Sequence, residues 1–148
     1  MTTVRDLLKT REDKSIWLLR PDMTVLEALQ AMAEHNVGAM PVLDGDCLVG
    51  VFSERDYARN VVVKGRFTND TPLREAMTRE VVTVTMDETL ENCMRLMSEK
   101  HIRHLPVVEN CQLVGHFSIR DLMQWFIDQQ KHQIDHLQNF IEGTGYGR

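Results

Sequence analysis

The chain has 148 residues, 43% of them hydrophobic and 26% charged, with a formal net charge of −5, which is typical of a globular protein in solution. The negative charge argues against broad, sequence-independent binding of nucleic acid, which requires a positive field. No apolar run approaches the roughly 20 residues of a membrane span, and the acidic start does not resemble a signal or transit peptide.

The predicted elements of the first half begin with a short lead-in helix over residues 2–8 and a strand over residues 17–19. Thr24, with an acidic residue three positions later, has the pattern of a helix N-cap. The apolar side chains that follow it recur at helical spacing. Residues 42–52 contain two apolar runs around an Asp-Gly-Asp turn, which predicts a β-hairpin. Ser53 begins the last helix of this half.

The second half repeats the first. Residues 22–57 align without a gap with residues 87–122, and 13 of the 36 aligned positions are identical, where chance gives about two; such self-similarity indicates a duplicated unit. Each copy is predicted as strand, helix, strand, strand, helix, too small to bury both faces of its sheet. We therefore expect an α+β fold of tandem repeats packed sheet to sheet with pseudo-two-fold symmetry. The predicted divisions are residues 1–65 and 66–128, each a repeat with its lead-in helix, and residues 129–148, a helix extension and loose tail.

The last predicted helix is longer than a repeat requires. Apolar residues continue at helical spacing through Ile134, Leu137 and Ile141, and Gly143 marks a plausible end. Because one module offers too few partners for this extension, we expect it to pack on another subunit, which predicts a homodimer.

The three cysteines, Cys47, Cys93 and Cys111, lie far apart in the sequence. An odd number with no close pair favours reduced thiols over a disulfide framework or a zinc site, and it predicts a cytoplasmic protein. Cys93 lies on an apolar helical stripe and is predicted to be a core residue.

Common catalytic motifs are absent from the sequence: it contains no Gly-x-Ser-x-Gly, P-loop, Gly-x-Gly-x-x-Gly or His-Glu-x-x-His. The spacings His101-x-x-His104 and His132-x-x-x-His136 lack a carboxylate or cysteine that would complete a metal-ligand set, so a solvated helix face is expected. An enzyme that hydrolyses or transfers nucleotides is therefore disfavoured, and no metal is predicted.

Two equivalent heptapeptides carry a family resemblance. Residues 50–56 read Gly-Val-Phe-Ser-Glu-Arg-Asp and residues 115–121 read Gly-His-Phe-Ser-Ile-Arg-Asp, and each follows an apolar segment that contains Pro41 or Pro106. This pattern, present twice, resembles the CBS domain, and the chain resembles a stand-alone pair of CBS repeats, a Bateman module. The resemblance implies a regulatory protein that binds AMP, ADP, ATP, NAD(H) or S-adenosylmethionine in two clefts between the repeats, and that modulates a partner as an energy or redox sensor.

The same resemblance implies the ligand-binding residues. Asp56 and Asp121 would bind ribose hydroxyls, one in each cleft, with Ser53 and Ser118 beside them. The adenine walls would be Ser15, Trp17, Val37 and Gly38 in the Asp121 cleft, and Ala39, Val82 and Ile102 in the Asp56 cleft. The predicted set also includes Val51, Arg55, Arg103, His104, His116 and Arg120, of which Arg103 and His104 occupy phosphate-side positions.

Two alternatives stay open. A serine followed three residues later by an acid is also an N-capping motif, and both roles can coexist. The module could also be a structural homodimerisation unit that binds no ligand. Because the second repeat has Arg103 and His104 where the first has Gly38 and Ala39, the two clefts are expected to differ, with Asp121→Ala weakening binding more than Asp56→Ala.

Overall fold

Each half of the chain is built from a helix, a β-hairpin and a second helix, and a short helical segment precedes it. A computed structural model describes residues 2–11 and 16–143; Ser15 and the predicted tail from residue 144 onward lie outside this part. The elements in chain order are α1 (Val4–Lys9), α2 (Val25–His35), β1 (Ala39–Asp44), β2 (Cys47–Ser53), α3 (Glu54–Tyr57) followed by a π-helical turn (Ala58–Val62), a 3-10 turn (Leu73–Glu75), α4 (Leu90–Lys100), β3 (His104–Glu109), β4 (Gln112–Ser118) and α5 (Ile119–Gly143). The predicted α+β tandem-repeat fold is confirmed.

The same end signals bound α2 and α4. The Thr24 hydroxyl accepts a hydrogen bond from the backbone N–H three residues later at 3.1 Å, and the Thr89 hydroxyl accepts the equivalent bond at 3.2 Å. Each helix therefore begins with a satisfied N-cap. Both end on a residue in the left-handed conformation, Asn36 at φ 53° and His101 at φ 55°, a common way to satisfy the last helical carbonyls.

The first strand of each repeat is shorter than predicted. Of the run from Trp17 to Leu19, only Leu19 pairs, in a single parallel bridge to Val42. Val84 forms the equivalent bridge to Val107. Leu19 is fully buried while Trp17 is 36% exposed, so one residue of the run, rather than the whole run, is held against the hairpin.

The two β-hairpins contact each other at their turn ends. β1 and β2 are antiparallel, β3 and β4 are antiparallel, and the single pair Cys47–Gln112 joins them into one sheet of order β1-β2-β4-β3. Beside this junction Cys47 and Cys111 form a disulfide with a Cα–Cα distance of 5.3 Å. The prediction of reduced thiols is wrong for this pair, because sequence spacing does not reveal that the two turns come together. Cys93 is free and buried, as predicted.

The buried residues form two clusters, one in each repeat, and the lead-in segments are exchanged between them. Val4 and Leu7 of α1 are buried in the second repeat's cluster. Leu73 of the 3-10 turn and Ala76, which follows it, are buried in the first repeat's cluster. Backbone hydrogen bonds secure the exchange: the N–H of Val4 donates to Glu88 at 2.9 Å, and that of Leu73 to Met23 at 2.7 Å. Each repeat therefore depends on a segment that precedes the other.

Helix α5 runs past the second repeat. Trp125 and Phe126 pack against that repeat's core, whereas every residue from 127 to 141 is exposed. The helix is described as far as Gly143. Within the described ranges, no helix combines the length and the apolar character needed to cross a bilayer.

Candidate functional site

A cleft of about 440 Å³ opens between the two hairpins, a volume within the range of small-ligand sites. Both repeats contribute strand residues and helix-terminal residues to its walls. The lining residues are Gly38, Ala39, Met40, Pro41, Val51, Ser53, Glu54, Arg55, Asp56, Thr78, Glu80, Val81, Val82, His101, Ile102, Arg103, His104, Pro106 and His116. The site is thus an interface between the repeats rather than a pocket inside either one.

The carboxylate of Asp56 is held rigidly in this cleft. Its Oδ2 accepts hydrogen bonds from the backbone N–H of Ser53 at 2.9 Å and from the Ser53 hydroxyl at 3.0 Å. Its Oδ1 accepts one from the Thr78 hydroxyl at 2.8 Å. Asp56 is partly exposed, so its carboxylate is accessible from the cleft while it caps helix α3.

The second repeat supplies the facing wall. Val82 and Ile102 are apolar and partly buried, as a flat aromatic base would require. Arg55 spans the cleft, since its Nη1 donates to the backbone carbonyl of His101 at 3.3 Å. The cleft therefore holds an inter-repeat hydrogen bond that a ligand would neighbour.

Two half-buried histidines lie side by side on β3 and β4. Burial lowers the pKa of His104 below its ordinary value; the Arg103 charge adds to this and the Asp121 carboxylate opposes it. Burial likewise lowers the pKa of His116, with Arg11 and His104 adding to the shift and Asp121 again opposing it. Both shifts favour the neutral imidazole, which can donate and accept hydrogen bonds.

The environment of Asp121 differs from that of Asp56. Its Oδ2 accepts the backbone N–H of Ser118 at 2.7 Å, which caps α5 in the same way. The same oxygen forms an ion pair with Nη2 of Arg11 at 2.6 Å, and Nη1 of Arg11 donates to the backbone carbonyl of His116. In this structure a side chain of the protein itself already satisfies the second aspartate.

Most of the predicted binding residues come together in the Asp56 cleft. Trp17, Val37, Ser118, Arg120 and Asp121 do not line it, and Ser15 lies outside the described residues. Trp17 instead stacks on His35 with ring centroids 4.2 Å apart.

Arg103 and His104, expected to distinguish the Asp121 side, line the Asp56 cleft. Sequence reasoning missed Thr78 and Glu80 in that cleft and Arg11 at Asp121. The available signal was the similarity of residues 2–8 to residues 71–77, at an offset of 69 residues, because the same offset places residues 9–11 and 78–80 at equivalent positions.

The capping interpretation of Ser-x-x-Asp is confirmed in both repeats. The Ser53 hydroxyl accepts the N–H of Asp56 at 3.2 Å, and the Ser118 hydroxyl accepts that of Asp121 at 3.2 Å. Across residues 2–11 and 16–143, no group of three or more histidine, cysteine, aspartate or glutamate side chains is placed to hold a metal ion.

Comparison with known proteins agrees with this architecture. The family model described as "CBS domain" matches residues 4–63 and 73–128, nearly the whole of both repeats. The chain belongs to the CBS-domain family, as a pair of repeats.

Several relatives match most of this chain. The mitochondrial CBS domain-containing protein CBSX3 of Arabidopsis thaliana is 32% identical over 98% of this chain and 74% of its own length. A putative signal-transduction protein with CBS domains from Burkholderia ambifaria is 40% identical with a TM-score of 0.82, covering 87% of this chain and 96% of its own. The CBS domain pair of protein MJ0100, solved with 5′-methylthioadenosine and S-adenosylmethionine, is 27% identical with a TM-score of 0.73, covering 87% of this chain and 98% of its own.

Proposed function

We propose that this chain is a regulatory module that binds an adenosyl-containing ligand, of the AMP, ADP, ATP or NAD(H) type, in the Asp56 cleft. The observation that carries the proposal is the convergence of a fixed carboxylate, apolar walls and basic side chains from both repeats in one cleft. The adenosyl ligands of the MJ0100 relative support it. A ligand that contacts both repeats changes their arrangement only if it binds one arrangement more tightly, and a partner protein would respond to that change.

Asp56 would bind the ribose. Vicinal hydroxyls donate well to a carboxylate, and such charge-assisted bonds are stronger than neutral ones. Ser53 and Thr78 already orient the two oxygens, so little ordering remains to be done on binding. Removing a hydrogen bond to a charged group costs roughly 1.5–3 kcal/mol, which is about a 10- to 100-fold loss of affinity.

The charge of the cleft favours a ligand with little negative charge. Three carboxylates, those of Glu54, Asp56 and Glu80, line it with two guanidinium groups, those of Arg55 and Arg103. The formal charges of these five groups sum to −1. A triphosphate therefore meets more repulsion than a monophosphate, and a cationic sulfonium compound such as S-adenosylmethionine meets none. We therefore expect AMP to bind more tightly than ATP.

A thermal-shift panel of adenosine, AMP, ATP, NAD, NADH and S-adenosylmethionine tests the proposal, because a ligand that binds the folded state raises its melting temperature. Calorimetry on Asp56→Ala and Asp121→Ala then locates the site. The two substitutions remove the same capping box, which makes each the control for the other's loss of stability. Asp56→Ala should abolish most binding and Asp121→Ala little, the reverse of the order expected from the sequence. Equal losses would contradict a single principal cleft.

A structural homodimerisation module without a ligand is the second candidate. The observation in its favour is that both Ser-x-x-Asp motifs are fully used as helix caps, so they need no ligand to explain them. Absence of any thermal shift across the panel, with a stable dimer, would favour this candidate.

The same proposal makes the protein a regulator rather than an enzyme, with no role in binding nucleic acid or membranes. A cytoplasmic location stays a prediction. That prediction was based on reduced thiols, and the Cys47–Cys111 disulfide weakens it because disulfides persist mainly in oxidising compartments.

A further inference from the structure

The exposed part of α5 carries a regular apolar stripe. Five aliphatic side chains, each between 45% and 59% exposed, and one glutamine recur along it at alternating spacings of three and four residues. This heptad stripe consists of Met123, Ile127, Gln130, Ile134, Leu137 and Ile141. The stripe begins where the helix leaves the second repeat, and every residue from 127 to 141 is exposed. Residues 127–141 alone extend for about 22 Å at the usual helical rise.

A repeat of 3.5 residues is the pattern of a helix that pairs with another helix along its length. One position of the heptad is isoleucine each time, at Ile127, Ile134 and Ile141, and the other is Met123, Gln130 and Leu137 in turn. A β-branched residue at the first position with leucine at the second favours two strands over three or four.

We propose that α5 binds α5 of a second copy of this chain, in a parallel, in-register, two-stranded coiled coil along the heptad stripe. Gln130 indicates that the helix covering the stripe is a second copy of α5. Against an unrelated apolar helix Gln130 would lose its hydrogen bonds to water, a substantial cost for a buried amide. In a parallel pair it faces Gln130 of the second copy, and two amides satisfy each other while fixing the register.

The charges agree with the same arrangement. Lys131 is the charged side chain directly beside the stripe, while Asp128 and Asp135 occupy outward positions of the helix. In a parallel pair Lys131 faces an uncharged flank. In an antiparallel pair centred on the stripe it would face Lys131 of the second copy, and Gln130 would face Ile134. Like charges and an unpaired amide both disfavour that alternative.

The interface is small. Two helices of this length bury on the order of 1,000 Å², the lower limit for a specific protein interface, so the dimer should dissociate on dilution. It does not depend on the ligand proposed above, since the stripe lies outside the cleft.

Light scattering after size exclusion, on the full chain from about 1 μM to about 1 mM, should show a concentration-dependent dimer. Leu137→Asp should weaken dimerisation at least 10-fold, and Asn139→Asp, which adds the same charge at an outward position of the same turn, should leave it unchanged. Circular dichroism of both variants controls for loss of the helix. A monomer at every concentration, or a dimer insensitive to Leu137→Asp, would overturn the proposal.

Cross-linking tests the orientation. Oxidised Leu137→Cys should form a disulfide-linked dimer, because in a parallel pair this position faces itself, whereas Asn139→Cys should not. Dimerisation through Leu137 without cross-linking would refute the parallel register. AMP binding by the Leu137→Asp monomer, measured separately, shows whether the cleft proposal stands or fails independently.

Discussion

Arg11 and Asp121, 110 residues apart in the chain, form an ion pair of 2.6 Å at the second aspartate of the pseudo-symmetric pair. At the first aspartate, Asp56, the corresponding partner from the lead-in segment is the neutral hydroxyl of Thr78. The two repeats therefore share a capping box but differ in what competes for its carboxylate. A ribose at Asp121 must displace a guanidinium group, while one at Asp56 need only share with a hydroxyl.

Removing Arg11 should make the second aspartate available. We expect Arg11→Ala to raise the calorimetric stoichiometry for AMP from one towards two per chain, with a second-site gain of roughly fivefold, because partly exposed ion pairs contribute about 1 kcal/mol or less. Arg5→Ala is the matched control, since Arg5 lies on the preceding helix α1 and pairs with Asp87 instead. A weaker binding of AMP in Arg11→Ala would show that this guanidinium binds the ligand rather than excluding it.

Acidification should lower the stability of the fold and strengthen the binding of AMP. The folded-state pKa values of His104 and His116 are lowered from 6.5, so their contribution to stability is complete above that pH and decreases as pH falls below it. Protonation meanwhile adds positive charge to the cleft.

Between pH 7.5 and about pH 5.5 the melting temperature of the free protein should fall, while AMP should bind more tightly relative to 5′-methylthioadenosine, which has no phosphate. His104→Gln should reduce both effects. If AMP and methylthioadenosine show the same pH dependence, the histidines do not contact the phosphate.

Reduction of the Cys47–Cys111 disulfide should destabilise the chain. The bond closes a loop with a sequence separation of 64, for which the chain-entropy model gives about 4 kcal/mol. Urea unfolding with and without a dithiol reductant measures this difference, and the Cys47→Ser/Cys111→Ser double variant should not respond to reductant.

Burial raises the pKa of the Cys93 thiol to about 12, so alkylation of the reduced native protein should label Cys47 and Cys111 but not Cys93 until it unfolds.

A free energy of unfolding that reductant leaves unchanged would contradict the stabilising role of the Cys47–Cys111 disulfide.

Two equivalent glycines should tolerate a methyl group differently. A Cβ on Gly50 would lie 2.8 Å from the backbone oxygen of Thr78 and 2.8 Å from Sδ of Met77, while one on Gly115 would lie 2.8 Å from Cδ1 of Leu8. The Leu8 side chain can move aside. The backbone of Thr78 cannot move as easily, because its N–H and its carbonyl are both hydrogen-bonded to Val51 of β2.

Gly50→Ala should therefore lower the free energy of unfolding by about 2 kcal/mol, and Gly115→Ala by about 1 kcal/mol or less. Chemical denaturation of both variants measures this, and equal losses would mean that the backbone at Thr78 adjusts as readily as the Leu8 side chain.

The features that could be predicted from the sequence are local or periodic. The duplication, the N-caps at Thr24 and Thr89, and both hairpins each follow from residues within a few positions of one another, or from a regular repeat. Much of the candidate cleft was also predictable, because Asp56, Val82 and Ile102 belong to motifs that repeat and resemble a known family.

Only the tertiary structure decided which partners those residues have. The bond between Cys47 and Cys111, the hydroxyl of Thr78 on Asp56, the guanidinium of Arg11 on Asp121 and the exchange of the lead-in segments all join residues far apart in the chain. Pattern and spacing constrain a residue's neighbours along one helix or strand, but side-chain partners across repeats depend on how the two cores are placed. By itself the sequence therefore determined a pair of similar repeats, and the packing of the lead-in segments determined that their two aspartates are not equivalent.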